Sequence, residues 1–580
     1  MNKSPIFIAA LCLLLSACQG DSAQQSSEDA STNNRIAESP SESANEESSA
    51  EQPVGAQPSK ANIDRHCDEA VFPSAEWTQC EADNFAKVTV GPAEGLHPAF
   101  QAAVMAQSAV AAQSYTQRLV DDPSYLPLAS PLLDIILQGL NEPSALADTL
   151  LTVVDKTVSN PLSAVQLPLN SPLLTECAMH AGPCVGDPFR YPHVDGPDGR
   201  NFYEKEAQVD HITFYDRQCA RLSGHLWRPR DAQGELPTVV FEVGSVGAVE
   251  TLYWWLPQLL VRNGYAVMTF DVRGQGRSDF ATPTGGQGSN VNPKVFWENF
   301  VDAIDFVRSS PNTPYPNEVS CAGTYPTITQ AFNPHHESVD LERLGIVGHS
   351  LSGIGVTAVQ GYGGMGSDPW PGQIDSTNPV DVAIAFDGLV DPNGTRPGGA
   401  IGPIEALLPE LAGELASLIL LREFPNVAPR VPMMGQSSDY GLFTTPYLIP
   451  PDPEFHKGAY EAWRAAQVPV YEFTIQGSSH TDWGQASPLP GSSFCPDPEA
   501  NECEHGHGLP MAEHYTLAWL DRWMKKPNEQ GYASADARLL DDAGPHGAAK
   551  MSFRFNSARD FSDRSGARHQ CQDIRAGCTQ

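Results

Sequence analysis

Leu344-Gly345-Ile346-Val347-Gly348-His349-Ser350-Leu351-Ser352-Gly353 is the stretch of sequence that decides the fold. Its first four residues form a short apolar run typical of a buried strand, and a helix-like segment, 354–360, follows the turn. A serine at a sharp turn between a strand and a helix projects its hydroxyl above the edge of a sheet. The amide of Leu351 and the dipole of the helix could stabilise an oxyanion beside it. The pattern therefore predicts that Ser350 is a nucleophile.

Strands alternate with helices along the chain from about residue 209. Segments 210–215 and 220–227 are expected to form an antiparallel pair. Further strands are expected at 239–243, 265–270, 344–347, 382–386, 431–434 and 468–475, with helices at 249–263 and along the face of Phe296, Phe300, Ile304 and Val307. Such alternation predicts an α/β fold with a mostly parallel sheet, helices on both faces and functional groups at the carboxyl ends of the strands.

Two motifs resemble those of the α/β-hydrolase superfamily, which includes serine esterases and lipases. Residues 348–353 resemble its G-x-S-x-G nucleophile motif, although Ser352 stands where the family has Gly. Residues 271–278, Asp-Val-Arg-Gly-Gln-Gly-Arg-Ser, match D-x-R-G-x-G-x-S, for which we expect a structural role in bracing a loop. The resemblance covers residues 209–530 and implies the α/β-hydrolase fold, with nucleophile, acid and histidine in that order along the chain.

A histidine after the last predicted strand is the candidate base, because a serine hydroxyl is a weak nucleophile until a base takes its proton. His480 lies in the loop 477–483, where the resemblance places the catalytic histidine. The other histidines considered precede the nucleophile or lie beyond this loop; they are His335, His336, His505, His507 and His514.

Asp439 is the candidate acid, because it follows the strand that would be the seventh of the family, where the acid usually lies. It would fix the tautomer of His480 and stabilise the imidazolium. Asp387 and Asp391 follow the preceding strand, which some members of the family use, and they form the alternative. Asp482 is too close to His480 in sequence to be favoured.

The oxyanion hole requires two N–H donors, and Leu351 is expected to supply one. The resemblance assigns the second to the loop after the third strand, which here reads Val-Gly-Ser-Val-Gly at 243–247, without the His-Gly that the family often has. The N–H of Ser245 is the expected donor, with Val246 as the alternative.

These groups predict acyl transfer through an acyl-enzyme, without a metal or an organic cofactor. We expect a carboxylic ester hydrolase acting on apolar acyl substrates, because an alcohol leaves more readily than an amine. The segment 392–430 carries an apolar helical stripe that could cap the pocket or pack on the domain. Tyr253, Trp254 and Trp255 could line an acyl pocket or belong to the core. A secreted serine peptidase or amidase, and a non-catalytic surface lipoprotein, stay open, as does the oligomeric state.

The first eighteen residues are typical of an export signal. Lys3 and the apolar run 6–15 precede Leu15-Ser16-Ala17-Cys18, which resembles the lipobox of bacterial lipoproteins. Lipidation of Cys18 would anchor the chain in a membrane, and Gln19 favours the outer membrane. The alternative is an ordinary signal peptide cleaved after Ala17, which would give a periplasmic or secreted protein.

Three further regions surround the predicted catalytic domain. Residues 19–60 are polar and contain no aromatic residue, so a disordered tether is expected. Residues 61–208 are interpreted as an N-terminal helical flank or cap, and residues 531–580 as a C-terminal extension. The net charge of −35 disfavours binding to nucleic acid, since phosphate neutralisation requires basic residues.

Ten of the twelve cysteines lie beyond the signal region, and an even number in an exported chain predicts disulfides. Sequence does not fix their connectivity. Proximity favours Cys67 with Cys80, Cys177 with Cys184, Cys495 with Cys503 and Cys571 with Cys578, which leaves Cys219 and Cys321 for each other. A metal site at Cys495, Cys503, His505 and His507 is the competing interpretation, but the spacing matches no zinc pattern.

Overall fold

The computed structural model describes residues 67, 70–88, 202–245, 248–276, 278–279, 282–284, 293–324, 329–392, 424–442, 444–484 and 508–578. Its strands are β1 (Ala207–Tyr215), β2 (Arg221–Pro229), β3 (Leu236–Glu242), β4 (Ala266–Phe270), β5 (Val339–His349), β6 (Val380–Phe386), β7 (Met433–Ser438), β8 (Val470–Ile475), β9 (Ala558–Ser562) and β10 (Arg568–Cys571). They form one sheet in the order β1-β2-β4-β3-β5-β6-β7-β8-β9-β10.

The six central strands, from β4 through β3 and β5 to β8, run parallel. Antiparallel strands extend both sides, with β1 and β2 beyond β4 and with β9 and β10 beyond β8. Described helices are α1 (Ala75–Val88), α2 (Trp255–Arg262), α3 (Pro293–Arg308), α4 (Pro316–Ser320), α5 (Leu351–Gly361), α6 (Gly458–Ala465), α7 (Gly508–Met524) and α8 (Ala535–Leu539). The predicted α/β fold is confirmed.

Helices cover both faces of the sheet, as two glycines of β5 show. A Cβ added to Gly345 would lie 2.9 Å from the sulfur of Met524 in α7. A Cβ added to Gly348 would lie 2.5 Å from the backbone oxygen of Ser352 in α5. Residues three apart in a strand point to opposite faces, so α7 and α5 lie on opposite sides. This explains why the central strands are continuous apolar runs rather than alternating ones.

The sheet differs from the sequence-based expectation in two places. The helix expected at 249–263 is divided into a 3₁₀ turn, Glu250–Tyr253, and α2. The segment 531–580, interpreted as an extension, contributes β9 and β10 to the sheet, because β9 pairs with β8 through Val470 and Asp560. Only tertiary pairing distinguishes these short strands from loops, since they are four and five residues long.

Disulfides link Cys67 with Cys80, Cys219 with Cys321, and Cys571 with Cys578, as expected from the sequence. The pairs of Cys177 with Cys184 and of Cys495 with Cys503 lie outside the described residues. So do Cys18, the tether, most of the N-terminal flank and nearly all of the proposed cap, 393–423. Within the described part of the chain, no helix has the length and apolar character needed to cross a membrane.

Candidate active site

Ser350 occupies the turn between β5 and α5 with a positive φ of 58° and a ψ of −122°. A positive φ is strained for a residue with a side chain, and such strain is common where a reactive group must be presented. The N–H of Ser350 donates to the carbonyl of Phe386 at the end of β6 (2.9 Å), which ties the turn to the neighbouring strand. The turn is therefore built into the carboxyl edge of the parallel sheet.

Ser352 fits at the position where the G-x-S-x-G motif has its second glycine. Its side chain is fully buried and its hydroxyl donates to the backbone oxygen of Val243. At the next residue, Gly353, an added Cβ would lie 2.7 Å from the Cα of Gly388. A serine is accommodated because its hydroxyl has an acceptor, while the position that needs a glycine is one residue later.

His480 lies within hydrogen-bond distance of Ser350, with 2.8 Å between Nε2 and Oγ. It belongs to the loop after β8, and its backbone N–H donates to the carbonyl of Gly441 in the loop after β7 (3.1 Å). The two residues, 130 positions apart in the chain, meet because both follow parallel strands that end at the same edge.

Asp387 is the carboxylate that contacts His480, with 2.6 Å between Oδ2 and Nδ1. It directly follows β6 and has a positive φ of 45°. Both the N–H and the hydroxyl of Ser438 donate to its carboxylate (2.7 and 2.6 Å). Burial alone would raise the pKa of Asp387, but the hydrogen bonds and charge from His480, together with Ser438, bring the pKa below its usual range. The group is thus held as a carboxylate facing the imidazole.

Asp439, expected to be the acid, does not take this position. Its carboxylate pairs with Arg554 (2.6 Å) and accepts hydrogen bonds from the hydroxyl of Ser552 (2.6 Å) and the N–H of Gly477 (3.1 Å). Asp439 does not face His480 because a buried guanidinium from the C-terminal segment already neutralises its carboxylate. Asp387, which sequence reasoning kept as an alternative, is the residue that the fold brings to His480.

Arg554 also joins the N-terminal helix to this region. Its second terminal nitrogen pairs with Glu81 of α1 (2.8 Å), and both side chains are buried. Its guanidinium packs over the rings of Tyr440 and Tyr447, at 5.0 and 4.9 Å from their centres. Asp439 therefore belongs to a buried ionic cluster that supports the start of the His480 loop.

His349 and Tyr253 also belong to the site, where they hold the backbone of His480, a role that the sequence did not predict. His349 Nε2 lies 2.8 Å from the backbone oxygen of His480, and its Nδ1 lies 2.7 Å from the hydroxyl of Tyr253. Because a carbonyl can only accept, Nε2 carries the proton and Nδ1 accepts from the tyrosine. Burial, followed by the nearby His480, lowers the pKa of His349 to about 3, so it stays neutral. The one available signal was a histidine directly before the nucleophile.

The loop after β3, where the second oxyanion donor is expected, lies beside Ser350. A Cβ added to Gly244 would lie 3.2 Å from the Cβ of Ser350, so this loop passes directly beside the nucleophile. Ser245, the expected donor, follows Gly244 and is partly buried. Leu351 is the first residue of α5, where N–H groups have no acceptor within the helix. Val246, the alternative donor, lies outside the described residues.

The aromatic residues 253–255 are buried and belong to the core around this site. Trp255 donates its indole N–H to the carbonyl of Trp483 (2.9 Å), and Trp254 packs edge-on against Trp227, with 4.8 Å between ring centres. Among the residues that the structure describes, no three His, Cys, Asp or Glu side chains form a group suited to a metal ion. The cysteine and histidine cluster at 495–507 lies outside those residues.

Comparison with known proteins finds partial similarities, and no protein-family model matches the chain. The hydrolase AcrC of Aspergillus aculeatus is 28% identical over 151 residues, which is 24% of this chain and 28% of that protein. The structure of the acylaminoacyl peptidase of Pyrococcus horikoshii aligns with a TM-score of 0.33 and 13% sequence identity. The alignment covers 57% of this chain and 44% of the peptidase chain. The chain thus spans less than half the length of either protein.

The sheet, the turn at Ser350 and the contacts of His480 define an α/β fold of the hydrolase type. Within it, three side chains from the ends of β5, β6 and β8 converge at the same edge of the sheet.

Proposed function

We propose that the protein is a serine hydrolase that cleaves carboxylic esters through an acyl-enzyme. The observation that carries the proposal is the continuous contact from Ser350 through His480 to Asp387, at 2.8 and 2.6 Å. These are hydrogen-bond distances in which a histidine can take the hydroxyl proton while a carboxylate holds its other nitrogen.

In the first half of the reaction, the Oγ of Ser350 attacks the ester carbonyl carbon while Nε2 of His480 takes its proton. The carbonyl oxygen becomes an oxyanion facing the N–H groups of the turn and of the loop after β3. Collapse of this intermediate breaks the bond to the alcohol oxygen, which receives the proton from His480. Asp387 stabilises the imidazolium throughout without itself being protonated.

In the second half, water attacks the acyl-serine as His480 takes one of its protons. The second tetrahedral intermediate releases the carboxylic acid, and the proton on His480 returns to Ser350. The neutral His349 holds the backbone carbonyl of His480 and so keeps this loop in register with the nucleophile.

Esters are preferred to amides in this proposal because the alkoxide of an ester is a better leaving group than the amide anion of an amide. A peptidase or amidase would use the same three groups. The apolar side chain of Leu442, half exposed, follows Gly441, whose carbonyl accepts from His480. An exposed apolar side chain one residue from this backbone contact supports apolar acyl groups as substrates.

A panel of p-nitrophenyl esters and peptide p-nitroanilides tests the proposal. We expect hydrolysis of the esters, with slower or no cleavage of the anilides, and loss of activity by several orders of magnitude in Ser350→Ala. Serine hydrolysis is refuted if folded Ser350→Ala retains the wild-type rate. Ester preference is refuted if the anilides are cleaved faster than the esters.

We further propose that the chain is exported and anchored through lipidated Cys18. Three buried or partly buried disulfides among the described residues support an oxidising compartment. Mass spectrometry of the mature N-terminus tests this: acylated Cys18 is the expected result, and an unmodified chain beginning at Met1 would contradict it.

A further inference from the structure

The loop carrying the expected oxyanion donor is held at both ends by the motif at 271–278. At its start, the side-chain amide of Gln275 donates to the carbonyl of Gly244 (2.7 Å). At its end, the N–H of Glu250 donates to the carboxylate of Asp271 (2.8 Å). One buried loop therefore fixes both ends of the segment that passes beside Ser350.

The first of these contacts sets the orientation of a peptide unit. In a trans peptide, the carbonyl oxygen of one residue and the N–H of the next point in opposite directions. With the carbonyl of Gly244 directed at Gln275, the N–H of Ser245 faces away from Gln275. Rotation of this peptide would turn the carbonyl oxygen toward that face and remove the donor from it.

Gln275 is itself rigidly placed. Its side chain is fully buried, its N–H donates to the carbonyl of Val272 (3.0 Å), and its own carbonyl accepts from the N–H of Ser278 (3.1 Å). The next residue, Gly276, has a φ of 51°, and an added Cβ there would lie 2.1 Å from the carboxylate of Asp271. The glycine is required because the loop closes tightly over that carboxylate.

We propose that Gln275 is a positioning residue that holds the Gly244–Ser245 peptide with its N–H directed at the oxyanion formed on Ser350. The inference rests on the proposed hydrolase function and extends it. The motif, for which only a bracing role is expected from sequence, thus preforms half of the oxyanion hole. Gln275 does not touch the substrate, and it acts through the peptide that does.

Gln275→Met tests this, because methionine has a similar length and no donor. We expect kcat for a p-nitrophenyl ester to fall about 10- to 100-fold, while KM changes less than threefold. This loss of kcat is somewhat smaller than that caused by removing an oxyanion donor itself. Affinity for an alkyl trifluoromethyl ketone, which forms a tetrahedral oxyanion on the serine, should fall by a similar factor.

Gln360→Met is the matched control. Gln360 is equally buried and its amide also donates to a backbone carbonyl, that of Thr357 (3.0 Å), at the far end of α5. It should lower the Tm while leaving kcat and the ketone affinity within twofold. Should Gln275→Met not fold, Gln275→Asn replaces it, since the shorter side chain keeps an amide that no longer reaches Gly244.

The positioning role is overturned if a folded Gln275 variant keeps kcat within twofold of wild type. It is also overturned if kcat falls while the ketone affinity is unchanged, because the loss would then not concern the oxyanion. Failure of the proposed function gives a different result: wild type itself would hydrolyse no ester and would not bind the ketone.

Discussion

Arg554 pairs with the carboxylate of Asp439 at 2.6 Å across 115 residues of sequence, in a fully buried setting. This contact separates the two aspartates that follow neighbouring strands of the sheet. Asp439 is neutralised by the guanidinium, whereas Asp387 faces the imidazole of His480. The two carboxylates therefore have different tasks, and matched substitutions should distinguish them.

Asp387→Asn should lower kcat by about 10⁴-fold with little change in stability, because His480 would lose the acceptor that fixes its tautomer. Asp439→Asn should keep kcat within about tenfold but lower the free energy of unfolding by about 3–5 kcal/mol, since it leaves a buried guanidinium short of a partner. Ester kinetics and urea unfolding of both variants provide the measurement. The reverse pattern, with activity lost in Asp439→Asn alone, would show that Asp439 is the acid.

Tyr253→Phe should lower kcat about fivefold without changing KM. The substitution removes the hydroxyl that donates to Nδ1 of His349 and leaves the ring packed, and a single hydrogen bond contributes about 1 kcal/mol. Steady-state kinetics on one ester measure the effect. The control is Tyr460→Phe, whose hydroxyl donates to the backbone carbonyl of Arg559 and not to a residue of the site. Equal kinetics in Tyr253→Phe and wild type would mean that the contact does not position His480.

Glu472→Gln should stabilise the protein at alkaline pH. Burial raises the pKa of Glu472 to about 8, far above the ordinary value of 4.5. Between pH 4.5 and 8 the folded state therefore holds a proton that the unfolded state has lost. The contribution of Glu472 to the free energy of unfolding is therefore higher below pH 4.5 than above pH 8. The difference is lost progressively as the pH rises from 4.5 to 8.

Urea unfolding of wild type and Glu472→Gln across pH 4 to 9 measures this contribution. The stability difference in favour of the glutamine variant should grow by up to about 1.4 kcal/mol per pH unit and level off above pH 8. The Gln side chain keeps an acceptor for the N–H of Tyr460, which contacts Glu472 at 3.2 Å. A pH-independent difference would contradict a raised pKa.

Leu442→Asp should reduce kcat/KM for long-chain esters more than for acetate. The leucine is half exposed next to Gly441, and a carboxylate there would meet an apolar acyl chain without a compensating partner. A series of p-nitrophenyl esters from acetate to octanoate measures the chain-length dependence. The same loss for every ester would show that Leu442 does not contact the acyl group.

The sequence predicted those parts of the site that depend on local pattern. An apolar strand, a turn of small residues and a helix place Ser350, and the loop after the last parallel strand carries His480. Choosing between Asp387 and Asp439 depended on Arg554, which is distant in sequence and whose partner no local pattern indicates. Spacing also could not reveal that Tyr253 contacts His349 or that Gln275 contacts Gly244. Each of these contacts joins two segments that are separate in sequence.

The strands of the C-terminal segment were missed for a related reason. β9 and β10 are short and polar, and Asp560 and Arg559 are not residues that favour strands. They form because the free edge of β8 offers backbone partners, and an ion pair of Arg568 with Asp560 (2.7 Å) supports the hairpin.

The proposed function depends on a single reactive hydroxyl at Ser350. Labelling with a fluorophosphonate, followed by mapping of the modified peptide, tests this most directly. We predict one adduct, on Ser350, that forms rapidly in the folded wild type, slowly in Asp387→Asn and not at all in Ser350→Ala. An adduct on another serine, or no adduct on a folded wild-type protein, would contradict the account.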